Sequence, residues 1–65
     1  MIRVVIHFED DMVMTFDKSG NRINRYCGPY NVLREHILEV APEDAIFAYA
    51  YYDSRGMQKV SKDEW

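Results

Sequence analysis

Cysteine is nearly absent: Cys27 is the single thiol in 65 residues. No disulfide can close within the chain, and one thiol without companion cysteines does not make a structural zinc site. A reducing compartment, the cytoplasm, is the expectation. Long apolar runs are missing too. A membrane-crossing helix needs about 18 apolar residues in a row, and the opening Met1-Ile2-Arg3-Val4 is broken by charge, so neither a membrane span nor a secretory signal is expected. Nor is there a basic surplus. The formal net charge is −3, whereas a surface for duplex nucleic acid draws its affinity from clustered Lys and Arg. Internal repeats, low-complexity tracts and linkers are all absent.

What is present points to one small folded domain over residues 1–65. Hydrophobic residues make up 48% of the chain and aromatic ones 14%, rich enough for a packed core and against intrinsic disorder. Such a core has little to spare. Burial at roughly 25 cal/mol per Å² nearly cancels an ordering entropy of about 1.5 kcal/mol per residue, so a chain this short leans on a staple or a partner.

Ile2, Val4, Ile6 and Phe8 alternate with Arg3, Val5 and His7, and Met12, Met14 and Phe16 alternate with Val13 and Thr15. Both runs have the period of two that marks a half-buried strand. A three-residue loop over Glu9-Asp10-Asp11 pairs Phe8 with Met12, Ile6 with Met14 and Val4 with Phe16. It gathers one apolar face and puts Asp11 in the left-handed region that Asp tolerates. Asp17-Lys18-Ser19-Gly20-Asn21 is a second turn. Residues 22–27 read as a short third strand or an irregular crossover. Gly28-Pro29 introduces a helix with Tyr30, Leu33, Ile37, Val40 and Ala41 on one stripe, and Pro42 stops it.

Ala45 to Tyr52 reads as a strand with Phe47, Tyr49 and Tyr51 on one face and Ile46, Ala48, Ala50 and Tyr52 on the other. Alanines let a helix approach closely, so the alanine side is expected beneath the helix, with the aromatic row turned away. Asp53-Ser54-Arg55-Gly56 closes a second hairpin that pairs Asp53 with Met57, Tyr51 with Lys59 and Ala50 with Val60. Ser61-Lys62-Asp63-Glu64 matches a helix-capping box, after which Trp65 either closes a single turn against the body or the polypeptide continues.

The tempting motifs are weak. His7, His36 and Cys27 lack metal-ligand spacing, so no metal and no cofactor is expected. Asp17-x-Ser19-x-Asn21 echoes a calcium loop but has Arg22 and Gly28 where the glycine and the bidentate glutamate belong. Cys27, next to the helix start, has no base that the sequence places beside it and reads as a small buried hydrophobe. Glu9, Asp10 and Asp11 read as a solvated turn, for lack of the apolar pocket that tunes catalytic carboxylates.

The expected fold is α+β: a small two-layer domain with an N-terminal hairpin, one central helix and a C-terminal hairpin, in the order ββ(β)αββ, with a mainly antiparallel sheet. The order also permits a β-grasp-like arrangement in which the terminal strands meet in parallel. The expected function is a non-enzymatic protein-interaction module working through Phe47, Tyr49, Tyr51, Arg55, Met57 and Lys59. Its partner is another protein or a second copy of itself, since Tyr, Phe and Arg are the types enriched at interface hot spots; the plainer reading of the same row is that its rings are core, with their hydroxyls reaching the rim. The alternative is a single-stranded nucleic-acid platform, with rings stacking on bases and Arg3, Arg22, Arg25, Arg55 and Lys59 on phosphates. No membrane partner is expected.

Overall fold

Strand β1 covers Ile2–Phe8 and strand β2 Met12–Asp17. They pair antiparallel with Val4 opposite Phe16 and Ile6 opposite Met14, the register of the three-residue loop. Asp11 takes φ 64° to close it. The next reversal is built on one carboxylate: Asp17 Oδ1 accepts the main-chain N–H of Ser19 and of Asn21, both at 2.9 Å, while Gly20 supplies φ 84°.

Residues 22–27 do not form a full strand. One bridge joins Arg22 to Phe16, a 3₁₀ turn follows at Asn24–Tyr26, and strand β3 is only Gly28–Pro29, paired with Met12 and Val13. Side chains replace the missing ladder. The Thr15 hydroxyl, fully buried, donates to the Tyr26 carbonyl at 2.8 Å, and the Thr15 N–H reaches Cys27 Sγ at 3.5 Å. Helix α1 runs over Tyr30–Val40 and ends before Pro42. Strands β4 (Ile46–Ala50) and β5 (Met57–Val60) complete the sheet.

This computed structural model describes residues 1–65 throughout. The molecule is a small α+β domain with one helix on a five-stranded mixed sheet of order β3-β2-β1-β4-β5. Neighbouring strands are antiparallel except β1 and β4, which run in parallel. No helix is long and apolar enough to cross a membrane.

Three expectations are corrected. The β4–β5 hairpin pairs Ala50 with Met57, Ala48 with Lys59 and Phe47 with Val60, not Ala50 with Val60. The cause is the reach of Asp53, whose Oδ1 accepts the Arg55 N–H at 2.9 Å while its carbonyl takes the Gly56 N–H at 3.2 Å. The register therefore shifts by three residues on β5, away from Asp53 with Met57 and Tyr51 with Lys59 as well, and the Tyr51 N–H donates to the Gly56 carbonyl at 3.0 Å.

The larger correction concerns the faces. The helix lies over Val5, Val13 and Phe47, which join Ile2, Ile37, Ala41 and Trp65 in the core. Ala48 and Ala50 therefore belong to the other side, and the ring row begins under the helix. Ile2 reaches the core because a bulge between Ile2 and Val4 shifts the β1 alternation. On α1 the stripe also differs: Val40 is 41% exposed, and Leu38 packs against the core.

Beyond the helix, Trp65 fills the end of this core. Ser61 Oγ donates to Glu64 Oε1 at 2.9 Å and the Ser61 carbonyl accepts the N–H of Glu64 and of Trp65, making one tight turn. That turn drops the indole against Phe47, ring centroids 5.1 Å apart and edge to face, with its N–H donating to the Ala48 carbonyl at 3.1 Å. At 1% exposure, Trp65 does for the C-terminal end of the sheet what α1 does for the middle.

Candidate interaction surface

Side chains alternate across a pleated sheet, so fixing Val5, Val13 and Phe47 beneath α1 fixes what projects from the opposite face. β1 contributes Val4, Ile6 and Phe8; β2 contributes Met12, Met14 and Phe16; β4 contributes Ile46, Ala48 and Ala50; β5 contributes Met57 and Lys59. Lys59 is the one charged residue among them. The single α-helix is on the other side, and the flanks of the 3₁₀ turn, Ile23 and Tyr26, also pack toward the helix-side core. No secondary-structure element covers this second face.

The surface has relief. Ile6, Ala48 and Ala50 are sunk among longer neighbours, while Met12 and Met57 stand 42% and 59% exposed. At the loop end the Tyr52 ring stacks on Phe8 with centroids 6.4 Å apart. Burial, followed by the nearby carboxylate of Asp10, pushes the Tyr52 phenol above its ordinary pKa. Between this pair and the Arg22–Asn24 segment lies an open cleft of about 460 Å³ touching Met12, Met14 and Cys27.

The residues expected to form the site are divided among three places. Phe47 is buried against Trp65. Tyr49 is half-buried on the same side, its hydroxyl donating to the Glu64 carbonyl at 2.6 Å. Burial first, then the neighbouring Tyr30 and Tyr51 phenols and Glu64, raise its pKa, with Arg34 opposing. Tyr51 and Arg55 belong to the β4–β5 loop. The guanidinium lies 3.8 Å above the Tyr51 ring and binds Asp53 at 2.8 Å, reaching Glu9 at 3.6 Å. Only Met57 and Lys59 lie on the helix-free face. Phe47 and Tyr49 are both engaged internally.

The remaining candidates also resolve into local structure. His7 is on the helix side, stacked on Tyr30 at 3.6 Å and 4°, with Nε2 3.1 Å from Asp11 Oδ1 and Nδ1 buried without a partner. The Tyr30 hydroxyl donates to the Trp65 carbonyl and accepts from Arg34 Nε at 2.9 Å. The three loop carboxylates diverge: Glu9 to Arg55, Asp10 Oδ1 to the Met12 N–H at 3.3 Å, and Asp11 to His7. Cys27 Sγ donates to the Ile23 carbonyl at 3.3 Å. No three His, Cys, Asp or Glu side chains gather in a metal-binding arrangement.

Sequence reasoning missed Val4, Phe8, Met12, Met14, Phe16 and Ile46 as surface. The signal was there in part: both alternating sets of β1, β2 and β4 contain apolar residues, which one helix cannot cover. No family model, curated protein or solved structure gives a significant match to this chain.

Proposed function

We propose that this chain is a small non-enzymatic interaction module, working in the cytoplasm, that docks a protein through the helix-free face of its sheet. One observation carries the reading: an apolar surface spanning β2, β1, β4 and β5 with nothing folded over it. Contiguous apolar patches above a few hundred Å² are rare on monomers and mark interaction sites. Three of the chain's four methionines, Met12, Met14 and Met57, sit on this face. Their flexible thioethers adapt to a partner's contour. The cytoplasmic part of the reading rests on the single unpaired thiol, Cys27.

The test places a photoreactive benzoylphenylalanine at Met14, and at Val32, 70% exposed on α1, as control. Irradiated in cells, the protein labelled at position 14 is expected to form discrete protein adducts that the control lacks. Equal labelling from both positions, or none from position 14, overturns the proposal.

A further inference from the structure

We propose that the cleft between the Phe8–Tyr52 ring pair and the Arg22–Asn24 segment binds a soft monovalent metal ion, Cu(I), through three sulfur atoms: the thiolate of Cys27 and the thioethers of Met12 and Met14. Nothing in this site depends on whether the sheet face docks a protein.

The three residues share no short motif, and it is the sheet that brings them together. Met12 and Met14 are two apart on β2 and so project from one face. β3 runs antiparallel beside them, with Met12 opposite Pro29 and Val13 opposite Gly28. Cys27 is one residue further along the same line and still extended, at φ −118° and ψ 127°. That sets it beside Met14, on the side of the sheet that Met14 shares and Val13 does not. The main chain fixes the spacing. The Thr15 N–H reaches Cys27 Sγ at 3.5 Å, and only two covalent bonds separate that nitrogen from the Met14 Cα, so Sγ is within about 6 Å of it. Met12 lies about 7 Å further along β2, a gap that two unbranched thioether side chains can close around one ion. All three side chains line the one cleft of about 460 Å³.

A thiolate with thioethers is a soft ligand set, the kind that selects Cu(I). Structural zinc takes four ligands drawn from thiolate, imidazole and carboxylate, and no three such side chains gather anywhere in the chain. Asp10 also lines the cleft, but its Oδ1 is turned to the Met12 N–H at 3.3 Å. Charge agrees with a monovalent ion. One thiolate and one Cu(I) sum to zero, so no net charge is set against the Phe8 and Tyr52 walls. On binding, the Cys27 S–H bond breaks, its proton passes to water and a Cu–S bond forms, with no change in oxidation state. The hydrogen bond given up is replaceable: the Ile23 carbonyl that accepts from Cys27 Sγ at 3.3 Å also accepts the Tyr26 N–H at 3.0 Å. The N–H of the fully buried Thr15 stays aimed at the sulfur and holds it in place as an outer-shell donor.

The purified protein is titrated with Cu(I), without oxygen and kept reduced by ascorbate, against a colorimetric Cu(I) chelator. One ion per chain is expected. Met12→Leu and Met14→Leu keep the side-chain volume and remove the thioether. Each is expected to weaken Cu(I) binding about tenfold or more, at least the loss that follows from disturbing an outer-shell partner. Cys27→Ser is expected to abolish binding. Met57→Leu, on the same sheet face but outside the cleft, should bind as the parent does. X-ray absorption at the copper edge should count three sulfur neighbours at about 2.3 Å, the length of a zinc–thiolate bond. The leucine variants are compared with the parent at equal circular dichroism, so that a lost ligand is told from a lost fold. A parent protein that leaves all its copper with the chelator overturns the proposal. So does binding that survives both leucine substitutions, which would make Cys27 the one ligand, and so does a Met57→Leu variant that loses as much affinity as Met14→Leu.

Discussion

The two faces of this sheet are almost equally apolar, yet only one is closed. On the helix side, Val5, Val13, Thr15 and Phe47 are at most 2% exposed beneath α1 and Trp65. On the other, Met12 and Met57 stand in the open and Ile6 is sheltered only by its neighbours. Alternation along a strand says which residues share a face; it does not say which face the rest of the chain will cover. That choice falls to the longer-range parts, here an eleven-residue helix and a terminal tryptophan, and what they leave uncovered is the surface available for recognition.

The sharpest way to break the comparison is to remove one residue from each face. Trp65→Ala deletes a ring packed edge to face on Phe47 and is expected to cost about 3–5 kcal/mol. That approaches the whole stability of a domain this size, roughly 0.05–0.15 kcal/mol per residue. Circular dichroism on heating should find the variant largely unfolded near room temperature. Met57→Ala, measured on dilute protein, should stay within about 0.5 kcal/mol of the parent, as surface substitutions do. Equal losses would mean that the faces do not differ in the way described.

Thr15→Val probes what the closed face needs besides apolar packing. Thr15 is fully buried and its hydroxyl donates to the Tyr26 carbonyl at 2.8 Å. Valine keeps the volume but strands that carbonyl, an expected loss of about 1–3 kcal/mol in urea denaturation. A neutral result would place Tyr26 O in contact with water and the 3₁₀ crossover outside the core.

The first hairpin was legible because its turn residue and its hydrophobic pairing agree: Asp11 takes the positive φ, and Ile6 meets Met14. The second was not, although Gly56 does adopt φ 62°. The sequence marks a turn there, but Asp53 accepts the Arg55 N–H, and pairing resumes at Tyr51 and Gly56. An odd shift of register decides which face each β5 residue joins. The aromatic row misled for a related reason. Small alanines suit a close helix and suit equally the trough of an uncovered face, and only the position of Phe47 against Trp65 distinguishes the two. The six expected contact residues were chosen on that row, so Met57 and Lys59 alone fall on the helix-free side.

Because this loop sets which face Met57 and Lys59 occupy, its turn residue is the next place to test. Nothing lies within 4 Å of a Cβ built on Gly56, so Gly56→Ala is opposed by backbone conformation alone. The expected loss is about 1 kcal/mol, read as a lower urea midpoint with unchanged slope. A changed slope, or a gain in stability, would argue that β5 can re-pair in another register.

The smallest expected effect is a pH dependence confined to the same loop. Side-chain hydrogen bonds from Arg55, helped by its main-chain N–H, lower the Asp53 carboxyl from 3.8 to about 2. The unfolded chain, lacking this partner, takes up the proton first as pH falls. The folded state therefore gains from the ionised group above about pH 4 and loses that gain as pH drops through about 2. Asp53→Asn should flatten this part of the stability curve, with parent and variant converging in acid. The group is solvent-exposed, so added salt should shrink the difference further. A gap between parent and variant that stays constant from pH 6 to pH 2 would mean that Asp53 holds the loop as a neutral turn acceptor, with its charge contributing nothing to where β5 pairs.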